Sequence, residues 1–265
     1  MSQIQRKSNP WLFFDNIRCI NLYTRNDRYE ESKKLFDQYN IPVNYYRTHQ
    51  HSNGGLQGCF ESHISILKEA GRDGVKTCLI FEDDVIASNF LKNEELLNDA
   101  ISFMQNNPTW ELFYLGTCPE IVNSSIKSVH GYTNILKMNC ICTHAYVVSE
   151  ILIEKAQNWT FTGVPIDYLY LFNPNAYGIY PSLFYQKTST SDISGSFWNL
   201  IPFKHYFFRL VELYARYINK PLKSVMFVFI LSFILLLILY LTNPAARLLS
   251  LLFLFLLIFL LLVWI

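Results

Sequence analysis

The chain has almost no net charge. Its 22 Lys and Arg against 21 Asp and Glu leave +1 over 265 residues. So even a balance gives no electrostatic footprint for nucleic acid. No Gly-Lys-Ser/Thr follows the glycines at 54–58, so a P-loop is excluded. The six cysteines are Cys19, Cys59, Cys78, Cys118, Cys140 and Cys142. They lack zinc-ligand spacing: Cys140 and Cys142 are separated by one residue, and no second Cys/His pair completes a site. Several lie in apolar runs, where a free Cys behaves as a small hydrophobe, and reduced thiols suit a cytosolic face. The first ten residues are basic but no signal-like apolar stretch follows, since Trp11–Phe14 stops at Asp15. Internal repeats and low-complexity linkers are absent too.

What the chain does have is a sharp change of composition. Residues up to about 200 are mixed and carry nearly all the charge, enough for one well-filled core. Two apolar runs, Val225–Leu241 and Leu248–Ile265, close the sequence. Each approaches the roughly 20 residues that cross a bilayer. Asn243-Pro244 between them is a turn signal, so the expected structure is a transmembrane helical hairpin. Lys204, Arg209, Arg216, Lys220 and Lys223 precede the first run, which predicts a cytosolic flank by the positive-inside rule. The aromatic, basic stretch between suits either a helix lying on the membrane surface or ordinary core packing. The expected divisions are a lead at 1–16, a globular domain at 17–196, a juxtamembrane segment at 197–221 and the membrane hairpin at 222–265.

The globular part alternates strand-like and helix-like patterns. Ile17–Tyr23, Val43–Thr48, Val75–Phe81, Trp110–Leu115, Ile135–Val148 and Ala176–Gln186 read as extended. Tyr29–Asn40, Leu56–Ala70, Glu94–Gln105 and Ile151–Gln157 read as helical. That alternation predicts an α/β fold with a mostly parallel sheet.

Val75–Phe81 runs directly into three carboxylates, Glu82, Asp83 and Asp84. They are expected at the C-terminal tip of a buried strand, where open α/β sheets bind ligands. Three adjacent acids repel unless something positive sits among them, and a Mg²⁺-type cation with substrate phosphates is one solution. A solvated acidic turn that caps the next helix is the other. Asn21, Arg25, Asp27 and Arg28 join the first strand to the first helix, and arginine forks suit a diphosphate. Gly58, Ser62 and His63 open the second helix, whose N-terminus favours anions. Asp167 follows a turn, and Asp192 comes late in the domain.

In this order the pieces resemble glycosyltransferase family 25. They are Ile20-Asn21-Leu22 with Asp27-Arg28; Gly58-Cys59 with Ser62-His63; Leu79 to Asp84; Thr143-His144-Ala145-Tyr146 with Ser149; Pro165-Ile166-Asp167; and Gln186 with Ser191-Asp192-Ile193. The resemblance implies a GT-A-like, Rossmann-type domain and a UDP-sugar donor, most often UDP-galactose. It implies Mn²⁺ or Mg²⁺ near Glu82, Asp83 and Asp84, acting as a Lewis acid on the departing UDP. A further carboxylate must take the acceptor proton; Asp167 is the first choice and Asp192 the second. His144 could touch a phosphate, although a strand position favours a structural role. The acceptor is left open among glycans, lipid-linked saccharides and protein hydroxyls, with membrane lipid as a partner and no nucleic acid. Two other readings stay open: an inactive, membrane-tethered transferase-like scaffold, and a nucleotidyl- or phosphotransferase.

Overall fold

A computed structural model describes residues 9–117, 121–122, 127–140, 143–187, 222–223, 234–238 and 240–242. Its strands are β1 (Asn16–Leu22), β2 (Asn44–Thr48), β3 (Thr77–Glu82), β4 (Val85–Ala87), β5 (Leu112–Tyr114), β6 (Ile121–Val122), β7 (Lys127–Ser128), β8 (Ile135–Lys137), β9 (Ala145–Ser149), β10 (Ala176–Ile179), β11 (Phe184–Gln186) and β12 (Leu222–Lys223). The helices are α1 (Asn26–Gln38), α2 (Gly55–Arg72), α3 (Glu94–Asn106), α4 (Glu150–Ala156) and α5 (Ile166–Leu171).

The main sheet has the order β2-β1-β3-β9-β5-β10-β8-β7. Its faces follow from the two-residue period of a strand. Leu79 and Phe81 of β3, Val147 of β9 and Phe113 of β5 pack on one side with Phe36 of α1 and Leu97, Ala100 and Phe103 of α3. Cys78 and Ile80, Tyr146 and Val148, and Leu112 and Tyr114 pack on the other. There they meet Ile66 and Leu67 of α2, Ile153 of α4 and Tyr170 of α5. Helices on both faces explain why the central strands read as unbroken apolar runs rather than as alternation.

The sheet is mixed, which corrects the expectation of a mostly parallel one. β1 pairs in parallel with β2 and β3, and β5 with β10. β9, by contrast, runs antiparallel between β3 and β5, and β8 runs antiparallel to β10 and β7. Two extended stretches also divide. Residues 135–148 become β8 and β9, which lie in different parts of the sheet. Residues 176–186 become β10 and β11, and β11 leaves the main sheet to pair with β4. Pro181 between them has no N–H to offer a ladder.

The expected juxtamembrane segment lies outside the described residues, as does most of the hairpin. Residues 234–238 and 240–242 are helical, and Thr242 Oγ1 donates to the Ile238 carbonyl at 2.7 Å. Among the described residues no helix is long and apolar enough to cross a membrane.

Candidate functional site

The faces of β3 decide where its acids go. Glu82 continues the side of Cys78 and Ile80, towards α2, α4 and α5. Asp83 falls on the side of Leu79 and Phe81, towards α1. The adjacent carboxylates therefore enter different surroundings.

Asp83 is buried and fully engaged. Its Oδ2 accepts from Asn21 Nδ2 at 2.7 Å, and its Oδ1 accepts from Arg28 at 3.1 Å. Asn21 is held in turn by Arg47, whose Nε donates to Asn21 Oδ1 at 3.0 Å. The Arg47 guanidinium stacks against the Tyr23 and Tyr29 rings, 4.8 and 4.6 Å from their centres. Burial raises the Asp83 carboxyl, against the pull of Asn21 and Arg28.

Glu82 and Asp84 share the Gln186 amide. Nε2 lies 3.4 Å from Glu82 Oε2 and 3.3 Å from each Asp84 oxygen. β11 delivers this side chain because Gln186 pairs in register with Val85 of β4. Asp84 is also 3.6 Å from Arg28. Burial first, and the Glu82 charge second, push the Asp84 carboxyl up to about 7. Burial also works to raise Glu82, but the His63 ring and the Thr143 hydroxyl outweigh it and hold the group below its ordinary value.

Thr143 links two acids. Its Oγ1 is 2.7 Å from Glu82 Oε1 and 2.9 Å from Asp167 Oδ1. A hydroxyl has one proton to give, so one of these contacts needs a proton on the carboxyl. Burial, then the charge of Glu82, pushes the Asp167 carboxyl up to about 6, so the carboxylate predominates at neutral pH and is poised to take a proton. Asp167 sits in the first turn of α5, and Ile166 and Tyr170 anchor that helix in the core.

On the same side, α2 presents Cys59 and His63, one turn apart. His63 Nε2 lies 3.5 Å from Glu82 Oε1, and Nδ1 is 2.8 Å from the Tyr146 hydroxyl. The ligand atoms of Cys59, His63 and Glu82 all fall within 4.8 Å of one another. The site thus offers oxygen ligands at Glu82 and Asp84, and a thiol–imidazole–carboxylate set beside them.

The sequence matches glycosyltransferase family 25 (LPS biosynthesis protein) over residues 1–170. The chain belongs to that family. It is 26% identical over 164 residues to procollagen galactosyltransferase 1-A of Xenopus laevis, covering 50% of this chain and 26% of that protein. It is 41% identical over 64 residues to a probable inactive glycosyltransferase 25 family member 3 of Rattus norvegicus, covering 23% of this chain and 11% of that one. The chain thus matches about a quarter or less of the length of these curated relatives. Among solved structures, it is similar to a glycosyltransferase involved in glycosylation of the major capsid of PBCV-1, with a TM-score of 0.41 and 12% identity, covering 67% of this chain and 95% of that one. A197 from STIV gives a TM-score of 0.40 and 11% identity over 67% of this chain and 87% of that one.

The family 25 pieces named from sequence occupy distinct places. Arg25 pairs with exposed Asp27 at 3.0 Å, and this bond holds the Asp27 carboxyl down at about 2. Ser62 donates to the Gly58 carbonyl one turn back at 2.7 Å. Gly58 lets α2 pass close to His51, where a Cβ would stand 2.9 Å from the His51 Cβ. His144 is fully buried, and burial pushes it down to about 4, so it is a neutral packing residue at neutral pH. Asp192 lies outside the described residues.

Sequence reading assigned no function to Thr143, Gln186 or Cys59. The i,i+4 spacing of Cys59 and His63 was the available signal, because it puts both on one face of a helix. Its third partner, Glu82, comes from a different element and is invisible to spacing.

Proposed function

We propose that this family 25 chain transfers a hexose from a UDP-sugar to an acceptor hydroxyl with the help of a divalent cation. The observation that carries the reading is the convergence of Glu82, Asp84 and Asp167 in one part-buried cluster at the tip of β3. Negative charge of this density, partly shielded from water, favours a positive partner. Glu82 and Asp84 supply hard oxygen ligands of the kind Mg²⁺ or Mn²⁺ takes. When bound, such a cation supplies Lewis acidity to the departing diphosphate.

In this reading the chain's own groups divide the work. Glu82 and Asp84 hold the cation, and Gln186 fixes the direction of both carboxylates. Asp83 stays with Arg28 and Asn21 and braces the β1 and β3 tips against each other. Asp167 takes the acceptor proton, with Thr143 orienting it. Arg25, Asp27 and the Arg47–Tyr23 stack lie at the β1–β2 side, where a nucleotide is expected. The apolar C-terminal runs anchor the enzyme in a membrane, with the catalytic domain on the cytosolic side; this places a glycan, lipid-linked saccharide or protein acceptor near the lipid surface.

The test is a release assay over a panel of UDP-sugars, with Mn²⁺, Mg²⁺ or chelator. The expected result is cation-dependent formation of free UDP with one sugar. Release of sugar 1-phosphate from these donors, or of pyrophosphate from UTP supplied with a sugar 1-phosphate, instead identifies a nucleotidyltransferase. Tight UDP binding without turnover identifies an inactive, transferase-like scaffold.

A further inference from the structure

We propose that Cys59, His63 and Glu82 form a second, softer metal site, which takes Zn²⁺ or a similar first-row ion rather than Mg²⁺. Cys59 and His63 are four residues apart on α2, so their side chains lie one above the other. Glu82 reaches them from the end of β3. The three ligand atoms lie within 4.8 Å of one another. The His63 Nε2–Glu82 Oε1 separation is 3.5 Å. Two ligands bound tetrahedrally at zinc distances stand about 3.3 Å apart, so this edge is nearly formed.

The second observation is the state of His63. The residue is fully buried, and among the described residues its Nε2 meets no hydrogen-bond criterion, facing only Glu82 Oε1 at 3.5 Å. Its other nitrogen is 2.8 Å from the Tyr146 hydroxyl, which itself lies 3.3 Å from the Tyr170 hydroxyl. A hydrogen bond at Nδ1 fixes the ring, as it does for metal-bound histidines. A cation in the 3.5 Å gap between Nε2 and Glu82 Oε1 would take the Nε2 lone pair and leave Nδ1–H to donate to the Tyr146 hydroxyl.

Chemistry separates this set from the oxygen ligands beside it. A thiolate selects zinc-like ions and is a poor ligand for Mg²⁺. Burial raises the Cys59 thiol, and the charges of Glu82, Asp167 and Asp84 raise it further. Coordination overcomes this by exchanging the S–H bond for a metal–sulfur bond, with the proton passing to buffer. Three protein ligands also leave a fourth position for water. Glu82 spans both sets: Oε1 faces His63 and Thr143, and Oε2 faces Gln186. The site itself does not depend on the transfer reaction, and its test does not read transfer.

The full chain, stripped with chelator, is titrated with Co²⁺. The expected result is a thiolate-to-cobalt charge-transfer band in the near ultraviolet, lost on adding Zn²⁺ but not on adding Mg²⁺. Cys59→Ser should abolish the band, and His63→Gln should weaken Zn²⁺ binding by roughly tenfold or more. Circular dichroism checks that each variant folds. Should Cys59→Ser not fold, alkylation of the parent protein gives the same answer: Zn²⁺ should slow labelling of Cys59, mapped by peptide mass. No charge-transfer band, a band that survives Cys59→Ser, or equal labelling with and without Zn²⁺ each overturns the site.

Discussion

Asp83 and Asp84 are neighbours in sequence with unlike tasks. Asp83 is clamped by Arg28 and Asn21, whereas Asp84 faces the Glu82 charge with a shared amide and a longer ion pair. Asp84→Asn keeps the shape and removes a charge that burial and Glu82 both disfavour. Under the proposed function, transfer should fall by orders of magnitude, because stabilisation of the leaving group by the proposed cation goes with it. Stability in chelator should hold or rise, read as the urea midpoint. Near-normal transfer by this variant, or loss of folding, would count against the assignment. Asp167→Asn tests the base. It should slow transfer by roughly 10²–10⁴-fold and leave UDP affinity nearly unchanged, measured by calorimetry. A collapse of UDP affinity would move Asp167 into the donor site. The acidic triplet was legible at this scale because an apolar run ending in three carboxylates has few explanations. Which acid faces which helix was not, since that depends on the pleat and on the partners β1 and β9.

At the scale of elements, the strand before an acidic tip and the two long helices on either side were readable from periodicity. The direction of β9 was not. An apolar run has no arrow, and only its registers with β3 and β5 show that it runs against both. That reversal carries Thr143 to the tips of β3 and β5, beside Glu82. Gly116, just past β5, belongs to the same junction. A Cβ there would fall on the His144 ring and the Phe184 carbonyl. Gly116→Ala should therefore cost about 1–3 kcal/mol from overpacking, measured by denaturant unfolding, and should displace β11 with its Gln186. At the opposite end of β5, buried Glu111 accepts from Lys155 at 2.7 Å, Asn175 at 2.9 Å and Asn173 at 3.2 Å. Burial acts to raise its carboxyl, but these partners prevail and hold it below its ordinary value. Its contribution to stability is then complete above the unfolded pKa of about 4.3 and is lost as pH falls through the lower folded value. Glu111→Gln should cost about 1.5–3 kcal/mol at pH 7, and the gap to the parent should close under acid. A gap independent of pH would show that the charge contributes nothing.

For the molecule as a whole, the proposed membrane topology, with the catalytic face in the cytosol, rests on the basic flank before the first apolar run. Two sequons give an internal readout: Asn123-Ser124-Ser125, outside the described residues, and Asn158-Trp159-Thr160, where Asn158 is exposed after α4. Expressed in a eukaryotic cell, the full chain should show no endoglycosidase-sensitive mass shift. A shift abolished by changing Asn123 and Asn158 would place the domain in the lumen and reverse the topology. The strand order has a temporal consequence. Gln186 lies 104 residues beyond Glu82, and Thr143 lies 61 beyond it. The tip of β3 leaves the ribosome long before the groups that organise its carboxylates, and closing loops of that length is entropically slow. During synthesis, Glu82 and Asp84 remain ordinary solvated acids. They acquire their shared amide only when β11 docks on β4, so the carboxylates of the proposed cation site are organised late in synthesis.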